Sequence, residues 1–389
     1  MRPALRIALR VAVLLVLVAA AAAVWKREEI ARLMAVNTLF DADRIVDNFS
    51  HMDRAFLTVR VPRGDGPVSP LPQGPEATLP ADVADWIAAR NVTALVVLQD
   101  GQIVHESYHL GTGAEDRRIS WSVAKSFLSA LLGTLVADGT IPDLDAPVTD
   151  YAPGLAGSAY DGATIRNVLQ MASGVEFDED YLDYDSDINR MGREIALGGT
   201  LDGFTAGLQA RAAAPGAAWQ YVSIDTHVIG MVIRGATGRD IPALLSERII
   251  APLGLEAEPY YLSDGEGVAF VLGGLNMTTR DYARFGQMVA QDGVWQGTRL
   301  LPAGWVAEST APTAPTAPGE IGYGYQWWIP VGAGPGQVMA RGIYGQYIYI
   351  DAPRGVVIAT NGADRGFREP GVDDENIRIF RLIAETLAP

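Results

Sequence analysis

The chain has 389 residues, 49% hydrophobic and 20% charged, enough for a large core and for two domains or one with an insertion. Its formal charge of -16 argues against nucleic acid or anionic membrane surfaces as partners, since both are recognised by basic patches. With no cysteine, disulfides, thiolate metal sites and a cysteine nucleophile are excluded.

The chain opens on Met1 to Arg10, with arginines at 2, 6 and 10, followed by an unbroken apolar run from Val11 to Trp25. A basic start and about 15 apolar residues match a secretory signal better than a full membrane span. Ala21-Ala22-Ala23 offers a cleavage site, whereas Lys26-Arg27-Glu28-Glu29 continues a helical pattern, and Arg6 and Arg10 can snorkel to the cytoplasmic face. Residues 1–27 are therefore expected to export the chain to the periplasmic side of the inner membrane. They either stay as an anchor or are cleaved.

Residues 28–79 are expected to form an N-terminal extension and linker, rich in Pro and Gly from Val61 to Pro80. A helix around Asp82 to Ile87 starts the folded body. Two β-rich runs, Thr93–Gln99 and Gln102–Tyr108, then flank Asp100-Gly101, a strong hairpin signal. That hairpin disarms the zinc-protease pattern His105-Glu106-Ser107-Tyr108-His109. Two histidines four apart lie about 6 Å apart on a helix. In a strand they lie about 13 Å apart, too far for one ion. No metal site is predicted. The other histidines, His51 and His227, are isolated, and no Gly-x-Ser-x-Gly occurs.

Ser122-Val123-Ala124-Lys125 opens a long apolar helix running to Val136. Residues three apart share a helix face, so hydroxyl and amine stand side by side where free backbone N–H groups collect. Between Trp121 and Phe127 the lysine can be desolvated, its pKa lowered and its amine made a base for the serine. One such pair is weak, since a chain this long holds about one by chance. Taken alone, the pair is better explained by a capping serine and a solvated lysine.

Short helical segments follow, including Thr164 to Met171. The acidic, aromatic stretch Glu176–Asp185 lacks the Gly and closing Glu of a calcium loop and reads as a solvated loop. Tyr221-Val222-Ser223 leads into a helix over 224–235. A phenol held near Lys125 can act as general acid or base. Another helix is predicted from Thr279 through Gln291. The last third is strand-like through Tyr323–Ile329, Val338–Asp351 and Val356–Thr360, which predicts an antiparallel sheet, with a closing helix over 374–387.

Taken in order, Ser122-x-x-Lys125, Tyr221-x-Ser223 and Arg341-Gly342-Ile343-Tyr344-Gly345-Gln346 form a set. With Met171-x-Ser173-Gly174, Pro252-Leu253-Gly254, Gly273-Gly274-Leu275 and Thr279-Arg280-Asp281 between them, the chain from about residue 38 onward resembles the serine β-lactamase and penicillin-binding proteins, on the class C side. It is most similar to the branch of esterases and 6-aminohexanoate-dimer hydrolases. The resemblance implies an α/β fold of the α+β type, an antiparallel sheet flanked by helices. Residues 80–140 and 260–389 would form the α/β domain, 141–259 a mostly helical domain, with the site in the cleft between.

It also implies that Ser122 attacks a carbonyl while Lys125 and Tyr221 handle the proton, giving an acyl-enzyme that water hydrolyses. The backbone N–H groups of Ser122 and Ile343 would form the oxyanion hole. Ser223, Tyr181, Arg341, Gly342 and Tyr344 would meet a small-molecule ester or amide, with no cofactor. One departure stands out: where β-lactamases and peptidases carry Lys or His, then Thr or Ser, then Gly, this chain has Ala340-Arg341-Gly342. The lost lysine favours esters and small linear amides over β-lactams. The alternatives are a cell-envelope D-Ala-D-Ala carboxypeptidase or β-lactamase, and a non-catalytic binding protein on the same fold.

Overall fold

The computed structural model describes residues 3–388. In chain order the strands are β1 (Leu57–Arg60), β2 (Val92–Gln99), β3 (Gln102–Tyr108), β4 (Arg118–Ile119), β5 (Tyr260–Ser263), β6 (Leu275–Met277) and β7 (Val294–Trp295). They continue with β8 (Thr298–Arg299), β9 (Gly322–Tyr323), β10 (Trp328–Ile329), β11 (Gln337–Gly342), β12 (Gln346–Asp351) and β13 (Val356–Gly362). Seven of them form one antiparallel sheet in the order β3-β2-β13-β12-β11-β10-β9, so the first hairpin is stitched to the last third of the chain. A smaller antiparallel sheet runs β1-β5-β6-β4, and β7 and β8 pair alone.

The central strands read as continuous apolar runs because both faces are covered. Successive side chains point to opposite faces. Leu95 and Val97 meet Val83 and Trp86 of the Ala81–Ala89 helix and Phe380 of the closing Val372–Leu387 helix. Val96 and Leu98 face the other way, into the core containing Phe285 and Met288 of the Thr279–Ala290 helix and Leu128 of the Ala124–Ala137 helix. Each such side chain stabilises the fold by about 1.5–3 kcal/mol. Gly286 lets the Thr279–Ala290 helix lie directly on the sheet, because a Cβ there would stand 2.6 Å from Ile348. The mixed α/β architecture agrees with the expectation from the sequence.

Beyond the Ala124–Ala137 helix lies the mostly helical part. Its helices include Ile165–Leu169, Asp187–Ala196, Leu201–Ala206 and Ser223–Thr237. Thr164 and Asn167 close a reciprocal capping box that starts the first of them. Buried residues from Ala124 to Leu135 make the Ala124–Ala137 helix the shared wall between this part and the sheet.

The segment before residue 80 is woven into the body. The Arg27–Asn37 helix lies against the Asp187–Ala196 helix, where Arg32 Nε donates to the Ala196 carbonyl at 3.2 Å. Phe49 and Met52 are fully buried in the main core, and β1 pairs with β5. The Pro- and Gly-rich stretch expected as a linker is also bonded along its length. Val61 N–H donates to Pro259 at 2.9 Å, Ser69 N–H to Gly254 at 2.8 Å, and Ile103 N–H to Pro72 at 2.8 Å. A helix spans Pro3–Trp25. No single helix among the described residues is long and apolar enough to cross a membrane. Leu9–Trp25 and Arg27–Asn37 reach that length and composition only together, with a 72° bend between them.

Candidate active site

β4 ends beside β6, where Ser120 N–H donates to Leu275 at 2.8 Å, and the chain then reverses abruptly. Trp121 carries the reversal with φ of 41°, a backbone region that costs a non-glycine residue about 1 kcal/mol or more. A 3-10 turn over Trp121–Val123 follows before the α-helix begins at Ala124, so Ser122 sits on the turn and not in the expected helix. The turn still brings its hydroxyl to the lysine, with Lys125 Nζ 3.0 Å from Ser122 Oγ.

Lys125 is buried, with its remaining contacts to Ser223 Oγ at 3.3 Å and the Leu272 carbonyl at 2.5 Å. Among the described residues no carboxylate pairs with the amine directly. Burial penalises its charged form and brings its pKa down to about 7, against the opposing pull of Glu179 and Asp225. Tyr221 covers the amine, with Nζ 5.4 Å from its ring centroid. The ring stacks on Trp328 at 5.1 Å. Burial first and the Glu179 charge second raise the phenol's pKa, while Ser122 and Arg341 act to lower it. At neutral pH the phenol therefore keeps its proton, and the lysine is divided between ammonium and amine.

β11 closes the other side. A Cβ on Gly342 would stand 2.5 Å from the Ser120 carbonyl oxygen and 3.0 Å from Ser122 N. Only glycine lets this strand approach the turn so closely, and the approach brings the Ile343 backbone to the cavity wall beside Ser122. Ser122 and Ile343 both line the two cavities that meet here.

Two cavities meet at Ser122. One, of about 330 Å³, is charged and includes Tyr221, Glu179, Arg341, Arg368 and Asp373. The other, of about 440 Å³, is largely apolar and includes Phe40, Ile188, Met191, Phe270 and Leu272. Tyr181 lines both, and its hydroxyl donates to Glu179 Oε2 at 2.5 Å.

The structure thus brings Ser122, Lys125, Tyr221, Ser223, Tyr181, Gly342, Ile343 and Arg341 to one place. Arg341 is not a free cation, however. Its guanidinium pairs with Asp373 at 2.6 Å and lies over Trp328 at 5.0 Å. Tyr344 departs from the expected substrate contact. With φ of 60° its ring turns behind the wall, stacks on Phe40 at 4.9 Å and packs at a tilt against Phe367 at 4.5 Å, supporting the cavity from outside.

Glu179 and Asp225 were not singled out from the sequence. Glu179, within the stretch expected as a solvated loop, is half-buried at the site, and its carboxylate accepts from the Ser223 backbone N–H. Burial raises its pKa, against the charge of Lys125. Asp225 lies fully buried on the Ser223–Thr237 helix, accepting from the Tyr160 hydroxyl at 2.8 Å, and burial raises its pKa to about 7. Its signal was available: a carboxylate on an otherwise apolar helix face, two residues past Ser223. Glu179 gave a fainter one, two residues before the singled-out tyrosine.

Fold and site together define an enzyme of the serine hydrolase type. The family model described as Beta-lactamase matches residues 83–378, and the chain belongs to that family. It is 31% identical over 289 residues to the 6-aminohexanoate-dimer hydrolase of Paenarthrobacter ureafaciens, covering 71% of this chain and 73% of the relative. A Bacillus anthracis structure provisionally assigned as a 6-aminohexanoate-dimer hydrolase has the same fold. Its TM-score is 0.78 at 24% identity, with 90% of this chain and 96% of that one covered. EstCE1, a hydrolase with promiscuous acyltransferase activity, shares the fold with a TM-score of 0.60 at 16% identity, covering 79% of this chain and 97% of its own.

Proposed function

We propose that Ser122 is the nucleophile for hydrolysis of carboxylic esters and small linear amides through an acyl-enzyme. The observation that carries this is the 3.0 Å approach of the Lys125 amine to Ser122 Oγ in a setting that brings the lysine near neutrality. Neutral Lys125 takes the proton as Oγ bonds to the carbonyl carbon, and the Ser122 and Ile343 N–H groups hold the developing oxyanion. Tyr221, protonated and in contact with Ser122, gives a proton to the departing alkoxide or amine and recovers one through Lys125. Water then attacks the acyl carbon by the reverse route, releasing the acid and Ser122.

The leaving group belongs in the charged cavity, where Tyr221 stands, and the acyl group in the apolar one. Pairing of Arg341 with Asp373 leaves it poorly placed to bind a β-lactam carboxylate, which supports ester and linear-amide substrates. The name of the 6-aminohexanoate-dimer hydrolase relative points the same way. The exposed apolar side chains from Val11 to Val18 support export with the N-terminus held at the membrane, the body lying on the periplasmic side.

The test is turnover of a nitrophenyl acetate and of a chromogenic cephalosporin by the full chain, each beside Ser122→Ala. Ester turnover that vanishes in the variant is expected, with little cephalosporin turnover. Ester turnover that survives Ser122→Ala would contradict the proposal, and efficient cephalosporin turnover would move the chain to the cell-envelope β-lactamases.

A further inference from the structure

The apolar cavity is walled by an unusual pairing. One side is the Asp187–Ala196 helix, with Ile188, Met191 and Ile195 turned inward. The facing side is the end of the N-terminal segment, with Val36, Leu39 and Phe40. The chain that forms this wall is continuous with the Pro3–Trp25 helix, whose apolar side chains stand in the open: Leu15 is 63% and Val16 67% exposed. Between the two, Ile30 and Met34 are exposed on the Arg27–Asn37 helix. At the cavity itself Leu182 is 72% exposed and Tyr184 62%. An apolar track therefore leads from a helix left uncovered by the described residues, past an exposed rim, to a cavity ending at Ser122.

We propose that this cavity takes the aliphatic acyl chain of a membrane-resident ester or amide, delivered from the bilayer along the Arg27–Asn37 helix. The inference rests on the Ser122 acyl-enzyme reading. The Pro3–Trp25 helix supplies the reason for a bilayer source: it holds the cavity mouth at the surface where such chains are dissolved. The formal charge of -16 favours a zwitterionic surface over an anionic one. In the reaction the bond from acyl carbon to leaving oxygen or nitrogen breaks as the bond to Ser122 Oγ forms. The Oγ proton leaves with the alcohol or amine, and water releases the chain as a free carboxylic acid.

Burial of a methylene supports roughly a fourfold gain each. The test uses the full chain in phosphatidylcholine vesicles with nitrophenyl esters from acetate to dodecanoate. kcat/KM is expected to rise at least about tenfold from acetate to octanoate, and dodecanoate dissolved in the vesicles is turned over. Val36→Trp, which fills the cavity from its N-terminal wall, lowers the octanoate-to-acetate ratio of kcat/KM by about tenfold. Ile188→Trp, from the opposite wall, does the same should the first variant fold poorly. Met34→Asp, on the rim, lowers turnover of the vesicle-dissolved ester more than that of acetate in water.

A flat chain-length profile with active Ser122 would overturn the inference while leaving the hydrolase reading intact. So would a rise with chain length but no turnover from the bilayer, which would place the substrate in solution. Absence of any Ser122-dependent ester turnover would instead be a failure of the hydrolase reading itself.

Discussion

The two cavities that meet at Ser122 solve opposite problems. On the charged side, polar groups, several of them at the edge of solvent, answer one another. Arg341 is matched by Asp373, Arg368 by Asp180 at 3.2 Å, and Glu179 by Tyr181 and the Ser223 backbone. On the apolar side almost nothing needs a partner, and the walls are aliphatic and aromatic. Lys125 lies beneath the junction without a carboxylate of its own. The difference shows how a lysine can be left partly unprotonated near neutral pH and so free to accept a proton: burial disfavours its charge, and only the more distant Glu179 and Asp225 oppose that.

The strongest way to break this comparison is to remove the amine. Lys125→Met is expected to lower kcat/KM for a nitrophenyl ester by about 10³-fold, within the usual range for a general base. In the unmutated chain kcat/KM should rise with pH through an apparent pKa near 7, since the active form is the deprotonated amine. A profile flat from pH 5 to 9 would assign the proton to another group.

Next in size is the seam between the cavities. Gly342→Ala places a methyl group 2.5 Å from the Ser120 carbonyl oxygen, so β11 must retreat from the nucleophile turn. A fall of about 10²-fold in kcat, with KM changed far less, is the loss expected for a displaced oxyanion donor. Equal changes in both constants would show that the strand binds substrate without helping the reaction.

Asp225→Asn sharpens the electrostatic half of the comparison through stability. Burial raises the Asp225 pKa from 3.8 to about 7, so its carboxyl costs the fold nothing below pH 3.8. The cost grows between those values and is complete above pH 7. The amide should therefore stabilise the protein at pH 8 by about 2–4 kcal/mol, and hardly at all at pH 4, measured by denaturant unfolding at each pH. Because Asp225 also holds the Lys125 pKa up, the acid limb of the activity profile should move to lower pH in this variant.

The smallest effect is expected at Arg341. With its charge already matched by Asp373, Arg341→Gln should change acetate turnover by less than about tenfold. A larger loss would mean that the guanidinium leaves Asp373 to hold substrate.

These contrasts also mark what the amino-acid sequence could disclose. Ser122 and Lys125 are close in the chain, so helical spacing alone suggested that they meet, and an error of two residues over the helix start did no harm. The apolar runs at 92–98 and 356–359 announced buried strands because alternate residues serve two cores. The paired carboxyls were less legible. Glu179 sits among Asp178, Asp180, Asp183 and Asp185, and composition does not say which carboxylate turns inward. Phe40 was least visible of all: it reaches the site because the chain before residue 57 folds back onto the Asp187–Ala196 helix, more than 140 residues away. Tyr344 was misplaced for a related reason, as a left-handed backbone angle turns a strand-end side chain away from the face that alternation assigns.

The central claim, that Ser122 is the reacting atom's owner, is tested most directly by labelling with an alkyl fluorophosphonate. The P–F bond breaks as Ser122 Oγ bonds to phosphorus, and the adduct is stable enough to map by peptide mass. One adduct is expected, on the peptide carrying Ser122, lost in Ser122→Ala and forming faster as pH rises through about 7. Labelling at another residue with the same loss of esterase activity would contradict the account.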